Sequence, residues 1–576
     1  MTDKIVLSSD GGFYRVAAPE LLVVLLHRYN ATPVTMQQIA EVVRDEYPQS
    51  DIFAPCLPVT VSSFSSPDEL ARSIAGDISS LPSIGAYSGI IFIGHSLGAV
   101  LARKVWALAH GATPEATVDP ERRPLPWAGK VERILLLAAV SRGWTVSSAL
   151  KPLDRLLWTI GTAWGNFCRH VLGKEPLIFG FRRGAPFLTT TRLQCLAIKE
   201  AGVRLPITVQ LIGTDDDFIA PTDNLDLATG ENFYYMEVTG ASHAAIADLP
   251  TDGDDHSARS RFRLALTANE TKLKESSASA DDVFDGYDAI DDFDETLLPT
   301  IRDEVKRVVF VIHGIRDRGF WTRRIARKVK SVAGRGVCRS VTSTYGFFPM
   351  GPFLLPWVRR SKVEWLLDQY VTARSLYPDA SFSYIGHSNG TYLLAKALEI
   401  CPAIRFEDGA IFCGSMVRRD FEWSKYIPRQ IGRMLNYVAT NDWVVAIFPY
   451  GLERMRLQDV GGAGHLGFLD PDSANIRFAS GEHSAALAPD KWEEMAQFIL
   501  NGKDPEHRVH GVSPNPANLA RGEWSRLIWG LLVVGVLGIG AAMLALLWWR
   551  AGWRGPVITL GFCLYVYIVK VVLTRA

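Results

Sequence analysis

One five-residue pattern occurs twice in this chain of 576 residues, and it limits the possible folds more than any other feature. Gly94-His95-Ser96-Leu97-Gly98 and Gly386-His387-Ser388-Asn389-Gly390 both read G-x-S-x-G. Each copy follows a short apolar run, Ile90 to Ile93 or Phe382 to Ile385. Each precedes an apolar helical stretch, Ala99 to Ala109 or Thr391 to Ile400. A turn that tight brings backbone against backbone, which is why glycine flanks the serine. The pattern predicts strand, sharp turn and helix, with the serine raised to the mouth of a sheet.

The neighbouring segments predict the rest of that sheet. Leu22–Leu26, Gly89–Ile93, Ile134–Val140, Ile207–Ile212 and Phe233–Val238 are nearly continuous apolar runs, as strands covered on both faces require. Helical patterns alternate with them, which points to βαβ units and an α/β class. After Ala280–Glu295, with eight acidic residues and no basic ones, the pattern restarts. Val308–Ile312, Phe382–Ile385, Gly409–Cys413, Met434–Ala439 and Asn475–Ala479 are the second set of strands. His27 precedes Ser96 by 69 residues and His313 precedes Ser388 by 75, a spacing that suggests duplication or fusion of two relatives.

A serine hydroxyl is a weak nucleophile at neutral pH. It needs a base to take its proton, and the base needs a carboxylate to fix its tautomer. Both halves supply these in the order serine, acid, histidine. In the first, Asp216 follows the strand Ile207–Ile212 and His243 follows Phe233–Val238; Asp215, Asp217 and His256 are the rivals. In the second, Asp442 follows Met434–Ala439 and His483 follows Asn475–Ala479, with His465 as competitor. Developing negative charge on an acyl oxygen needs backbone N–H donors. The residue after each serine, Leu97 or Asn389, provides one. The turn after the first strand provides the other, at Tyr29 in one half and at Ile315, within His313-Gly314-Ile315, in the other.

At these residues the chain resembles the α/β-hydrolase superfamily of serine hydrolases, above all its lipase and esterase branch. The resemblance covers most of 20–270 and 305–500. It implies acyl transfer to water through an acyl-enzyme, with no metal or organic cofactor. The first half departs from the pattern, because His27-Arg28-Tyr29 puts arginine where the family's turn has glycine. An anionic group on the substrate is one partner for that charge. In this family a cap often lies where residues 141–206 fall, and Trp144, Trp158, Trp164, Phe167, Phe179, Phe181 and Phe187 there suggest an apolar acyl pocket or the cap's own core.

Composition bounds the remaining choices. Sixty-one basic and 61 acidic residues leave no net charge, which gives no reason to expect a nucleic-acid partner. Seven scattered cysteines with no C-x-x-C spacing argue against a disulfide framework and fit a reducing compartment. Leu527 to Trp549 is a run of 23 residues without a charge. As a helix it spans roughly 34 Å, enough for a bilayer core. A second apolar run, 556–573, makes a hairpin if Lys570 reaches the interface. Arg508, Arg521, Arg526, Lys570 and Arg575 flank the pair and place both termini and the catalytic mass on the cytoplasmic side. Trp524, Trp529, Trp548, Trp549 and Trp553 sit where interfacial aromatics belong. The apolar stretch Gly346–Trp357 suits an acyl site, a bilayer contact or, equally, a packed loop, and Arg359, Arg360 and Lys362 after it suit anionic headgroups.

The expected organisation is a first α/β-hydrolase domain at 1–270 and an acidic linker at 271–300. A second domain at 301–505 precedes a juxtamembrane segment at 506–526 and the two spans. The expected function is a membrane-anchored serine hydrolase of carboxylic esters. The alternatives are one catalytic and one degenerate domain, a non-catalytic membrane scaffold, or an acyltransferase.

Overall fold

A computed structural model gives the architecture. It describes the chain except residues 1–4, 83, 120–122, 146–151, 217–225, 227–231, 250–256, 280–303, 316, 318, 335, 343, 347, 471–474, 506–515 and, beyond 551, all but Gly561 and Tyr565. The linker expected at 271–300 needs correction: its first residues complete a helix, Glu270–Ser276, and an edge strand, Ala278–Ser279, of the first sheet, while 280–300 and nearly all of the second apolar run lie outside the described residues. Two compact units emerge: Met1–Asp288 with Leu367–Ser375 and Cys401–Ala403, and Ala289–Leu366 with Leu376–Ile400 and Ile404–Ala576.

The first unit holds eight strands: β1 (Gly11–Tyr14), β2 (Leu21–Leu26), β3 (Ser50–Pro55), β4 (Gly89–His95), β5 (Val131–Leu137), β6 (Ile207–Gly213), β7 (Phe233–Val238) and β8 (Ala278–Ser279). Their order is β1-β3-β2-β4-β5-β6-β7-β8. Only the outermost pairs, β1 with β3 and β7 with β8, are antiparallel. The second unit holds β9 (Arg307–Ile312), β10 (Cys338–Val341), β11 (Ser381–His387), β12 (Gly409–Cys413), β13 (Met434–Ala439) and β14 (Asn475–Ala479). Their order is β10-β9-β11-β12-β13-β14, parallel throughout. Without the outer strands β1 and β8, the two sheets have one connectivity. In each, the chain goes out from its first strand, comes back past it, and then advances in one direction.

That reversal fixes where a site must lie. Strands β2 and β4, or β9 and β11, are neighbours whose crossovers run opposite ways. The crevice beyond their carboxyl ends is the natural ligand position of an open parallel sheet. Both serines follow the carboxyl end of such a strand.

Apolar burial on both faces holds the first sheet. Leu22, Val24, Leu26, Ile90 and Phe92 pack into one core with the helix Leu97–Ala109. Val23, Leu25, Ile91 and Ile93 face the other core, with helices Gln37–Glu46 and Ala258–Thr267. Alternate residues point to opposite faces, so a run such as Leu-Leu-Val-Val-Leu-Leu serves two cores at once. Each such side chain contributes about 1.5–3 kcal/mol on full burial. In the second unit, Val309, Val311, Ile385 and Ile411 pack against helices Thr322–Ala333 and Trp492–Asn501.

Several expectations need correction. The strand expected at Ile134–Val140 begins at Val131 and stops at Leu137, because Ala138 turns to φ 40°. Of the aromatics in the 141–206 insertion, Trp144, Phe179, Phe181 and Phe187 are buried in the core shared with β2, β4 and the helix Leu97–Ala109, rather than in a separate core of the insertion. The described helix Pro152–Val171 turns Leu153, Leu156, Leu157, Ile160 and Trp164 outward. At the C-terminus one helix, Pro516–Ala551, contains the first expected span, and its segment Gly522–Ala542 is long and apolar enough to cross a membrane. Trp529 does not sit at a lipid interface; it is buried against Phe448 and Gly451 of its own unit.

Candidate active sites

Each serine occupies a strained turn between strand and helix. Ser96 has φ 55° and Ser388 has φ 52°, left-handed values that an L side chain rarely adopts. The Ser96 N–H donates to Leu137 O at 2.8 Å, and the Ser388 N–H donates to Cys413 O at 2.9 Å. Each turn is thus tied to the next strand of its sheet. The second glycine of each pattern is required by close approach. A Cβ on Gly98 would lie 2.2 Å from Leu26 O, and one on Gly390 would lie 2.5 Å from Ile312 O. Leu97 and Asn389 begin the helices that follow, where a backbone N–H has no carbonyl of its own helix to meet.

In the first unit the three expected side chains meet. His243 Nε2 lies 2.9 Å from Ser96 Oγ, and His243 Nδ1 lies 3.0 Å from Asp216 Oδ2. A proton on Nδ1 donates to the carboxylate and leaves Nε2 free to accept from the hydroxyl, the tautomer a general base requires. Of the rivals, Asp215 accepts from the Thr214 hydroxyl, whereas Asp217 and His256 lie outside the described residues. His95 Nε2 is 2.8 Å from the His243 carbonyl and steadies the histidine loop. Burial, helped by the charge of His243, pushes the His95 imidazole down to about 3, so it stays neutral.

In the second unit His483 Nδ1 is 2.8 Å from Asp442 Oδ2. The other oxygen of Asp442 accepts from the Val445 N–H at 2.9 Å and caps the helix Trp443–Ile447. His465, the competitor, is buried, and neither of its ring nitrogens has a partner among the described residues. Ser388 differs from Ser96. Its hydroxyl donates to Met416 Sδ at 3.2 Å, and no hydrogen bond joins it to His483 among the described residues.

No family model matches the chain, and no curated protein does either. Among solved structures, one similar to it is a peroxisomal α/β-hydrolase from Saccharomyces cerevisiae, with 14% identity, 50% of this chain and 88% of that chain covered, and a TM-score of 0.29. Another is a monoacylglycerol lipase from Paleococcus ferrophilus, with 15% identity, 46% and 98% covered, and a TM-score of 0.28. A third is an esterase from Thermogutta terrifontis, with 16% identity, 44% and 85% covered, and a TM-score of 0.28. Likeness at these scores adds nothing to the chemistry, which rests on the geometry of the two sites.

Both sites use a residue whose bonding the sequence did not disclose. His27 and His313, noted for their spacing and their place in the turn after the first strand, are clamps on that turn. His27 Nδ1 lies 2.9 Å from Arg28 O, and its Nε2 accepts from the Leu57 N–H at 2.9 Å. His313 Nδ1 lies 2.8 Å from Gly314 O, and its Nε2 lies 2.6 Å from Thr344 Oγ1. Burial lowers the pKa of both, consistent with a neutral ring that donates on one side and accepts on the other. The clamp positions the turns bearing Tyr29 and Ile315. The turns differ in what they tolerate: a Cβ at Gly314 would fall 2.6 Å from Ser388 Cβ, while the matching place in the first unit carries Arg28.

Two further residues shape the Ser388 site without a sequence signal. Met416 takes the serine proton's hydrogen bond. Asp317 accepts from Gly319 N–H at 2.9 Å and from Trp321 Nε1–H at 2.6 Å. Burial opposes its ionisation most, but these two donors together with the neighbouring His387 and His313 hold the carboxyl below its usual range. Ser388, His483 and Asp317 open into a cavity of about 1010 Å³, walled by Met350, Leu354 and Trp443 among others. Binding sites for small molecules span roughly 300–1,000 Å³, so this one is large. The expectation that Arg359, Arg360 and Lys362 meet lipid headgroups is corrected. Arg359 is fully buried against Asp459 at 2.9 Å, Arg360 pairs with Glu364, and Lys362 donates to Tyr345 O.

Proposed function

We propose that the chain is a membrane-anchored serine hydrolase of carboxylic esters, built from tandem α/β-hydrolase domains at about 1–270 and 301–505 with the catalytic mass on the cytoplasmic side. The observation that carries the reading is the unbroken relay from Ser96 through His243 to Asp216 at a serine held at φ 55°. Ser96 Oγ passes its proton to His243 Nε2 and attacks the acyl carbon. Negative charge gathers on the former carbonyl oxygen, for which the N–H groups of Leu97 and Tyr29 are the candidate donors. Collapse breaks the ester C–O bond, and the imidazolium returns its proton to the leaving alkoxide. Water then repeats the sequence on the acyl-enzyme and restores the serine. Ser388, His483 and Asp442 perform the same steps once the Ser388 hydroxyl rotates from Met416 toward His483, with Asn389 and Ile315 as N–H donors.

A second reading, one working domain and one that only binds, is favoured by that same Met416 contact. Fluorophosphonate labelling with mapping of the adduct separates the two. Adducts on both serines are expected. An adduct on Ser96 alone makes the second unit a binding domain. No adduct on either serine of the folded protein overturns the hydrolase reading.

A further inference from the structure

Two stretches of sequence that the catalytic groups leave unexplained, the apolar segment Gly346–Trp357 and the C-terminal apolar helix, meet at the Ser388 cavity. The first folds into the short helix Met350–Phe353, and Met350, Phe353 and Leu354 become wall. Arg359 pins it, with Nη1 donating to Phe353 O at 2.7 Å and Nη2 to Asp459 at 2.9 Å. The second contributes Trp529 to the same cavity.

Trp529 is a seated wall residue. It is 6% exposed, and its Nε1–H donates to Ile447 O at 3.0 Å. Its ring meets Phe448 edge-on at 6.1 Å. A Cβ on Gly451 would lie 2.5 Å from Trp529 Cδ1, so glycine at that position leaves the space the indole fills. One turn earlier Ser525 is fully buried, and Arg454 pairs with Glu523 at 2.8 Å. On both sides of Trp529 the helix also turns apolar side chains outward, Leu527 being 52% exposed before it. Leu531, Leu532 and Val534 are 64%, 47% and 66% exposed, and they belong to the segment long and apolar enough to cross a membrane.

We infer that this helix is both anchor and pocket wall: Trp529 selects acyl chains long enough to reach it, and the Ser388 site draws ester lipids from the bilayer along the helix. The inference rests on the reading of Ser388 as a nucleophile. An acyl chain that leaves lipid beside Leu531 and Val534 passes to Trp529, Phe448 and Leu354 with little exposure to water. That continuity matters because each methylene withheld from water is worth about 0.8 kcal/mol. Asp317 at the same cavity disfavours an anionic group near the serine, so the part of the substrate beside Ser388 is a neutral ester.

The test uses the full chain in phospholipid vesicles and two alkyl fluorophosphonates, one with a short chain and one with a long chain ending in a diazirine. Mass spectrometry of the Ser388 peptide gives the labelling rate, and illumination then maps what the chain end touches. Cross-links to the segment 522–534 or to Leu354 are expected. Trp529→Ala is expected to lower the long-to-short rate ratio at Ser388 about tenfold, and Trp529→Phe to keep most of it. An adduct on Ser388 with cross-links elsewhere, or a ratio unmoved by Trp529→Ala, overturns the inference and leaves Ser388 a nucleophile. No Ser388 adduct with either probe removes the nucleophile reading, and the inference with it. The cross-link arm uses the unmutated protein, so a Trp529→Ala chain that fails to fold does not decide the outcome.

Discussion

At Ser96 the hydroxyl faces His243 at 2.9 Å, whereas at Ser388 it faces Met416 at 3.2 Å and His483 keeps only its carboxylate. The sheet order, the left-handed serine and the clamping histidine are the same in both units. The scaffold therefore places the serine alike in both units, and the two differ in what the hydroxyl meets. The second site compensates with a formed, largely apolar cavity and a glycine turn close to the serine. In one unit serine, histidine and carboxylate are hydrogen-bonded in line; in the other the histidine and carboxylate are joined beside a formed cavity while the serine hydroxyl bonds to Met416.

Four experiments break or sharpen this contrast. The largest effect is expected from Asp216→Asn and Asp442→Asn, each of which lowers kcat at its own site about 10⁴-fold by favouring the wrong imidazole tautomer. Adduct formation measured serine by serine checks it. Equal losses would show that Ser388 uses its histidine as fully as Ser96 does, and no loss for Asp442→Asn would leave the second relay idle. Next is Gly314→Ala. Its new Cβ must displace Ser388, and a displacement on the ångström scale costs about 10² in rate. Labelling at Ser388 should fall by that factor while Ser96 is unchanged.

Met416→Leu is the sharper tool, because it should raise a rate. It removes a weak acceptor at similar volume, and releasing a hydrogen bond worth about 0.5–1.5 kcal/mol should speed Ser388 labelling roughly two- to tenfold. An unchanged rate would mean that the Met416 contact does not hold the serine back. The smallest effect concerns pH. His95 and His387 are pushed down to about 3 by burial, aided by the neighbouring His243 and His483. The unfolded chain takes up these protons near pH 6.5, whereas the folded chain waits until about pH 3. The stabilisation is therefore complete above about pH 6.5 and is lost progressively as pH falls toward 3. The Tm of the wild type should drop across that window, and His387→Asn should flatten the drop.

Much of the architecture was legible because parallel strands buried on two faces leave an unmistakable apolar run. Strands β3 and β10 were not legible. Ser50-Asp51 opens β3, and Asp51 is buried only because Tyr87 and the Val16 N–H satisfy it. β10 reads Cys-Arg-Ser-Val, with no apolar run at all. The acid and histidine of each site could be placed by their position after successive strands. What could not be read was how side chains are oriented. The Met416 contact, the clamps made by His27 and His313, and the seat of Trp529 on Gly451 join residues far apart in sequence and depend on rotamers. Trp529 shows the error that results: an indole in an apolar run suits a lipid boundary, and only the fold shows that protein covers it.

The two left-handed serines have a consequence for how these units drift under mutation. A residue held at such φ costs on the order of 1–3 kcal/mol, and glycine adopts it freely. Ser96→Gly and Ser388→Gly are thus among the simplest routes by which either unit could gain thermal robustness, at the expense of its hydroxyl. A unit that no longer needed a nucleophile would have nothing to set against that gain. Serine stands at φ 55° in one unit and at 52° in the other, so each unit carries that cost in its nucleophile turn.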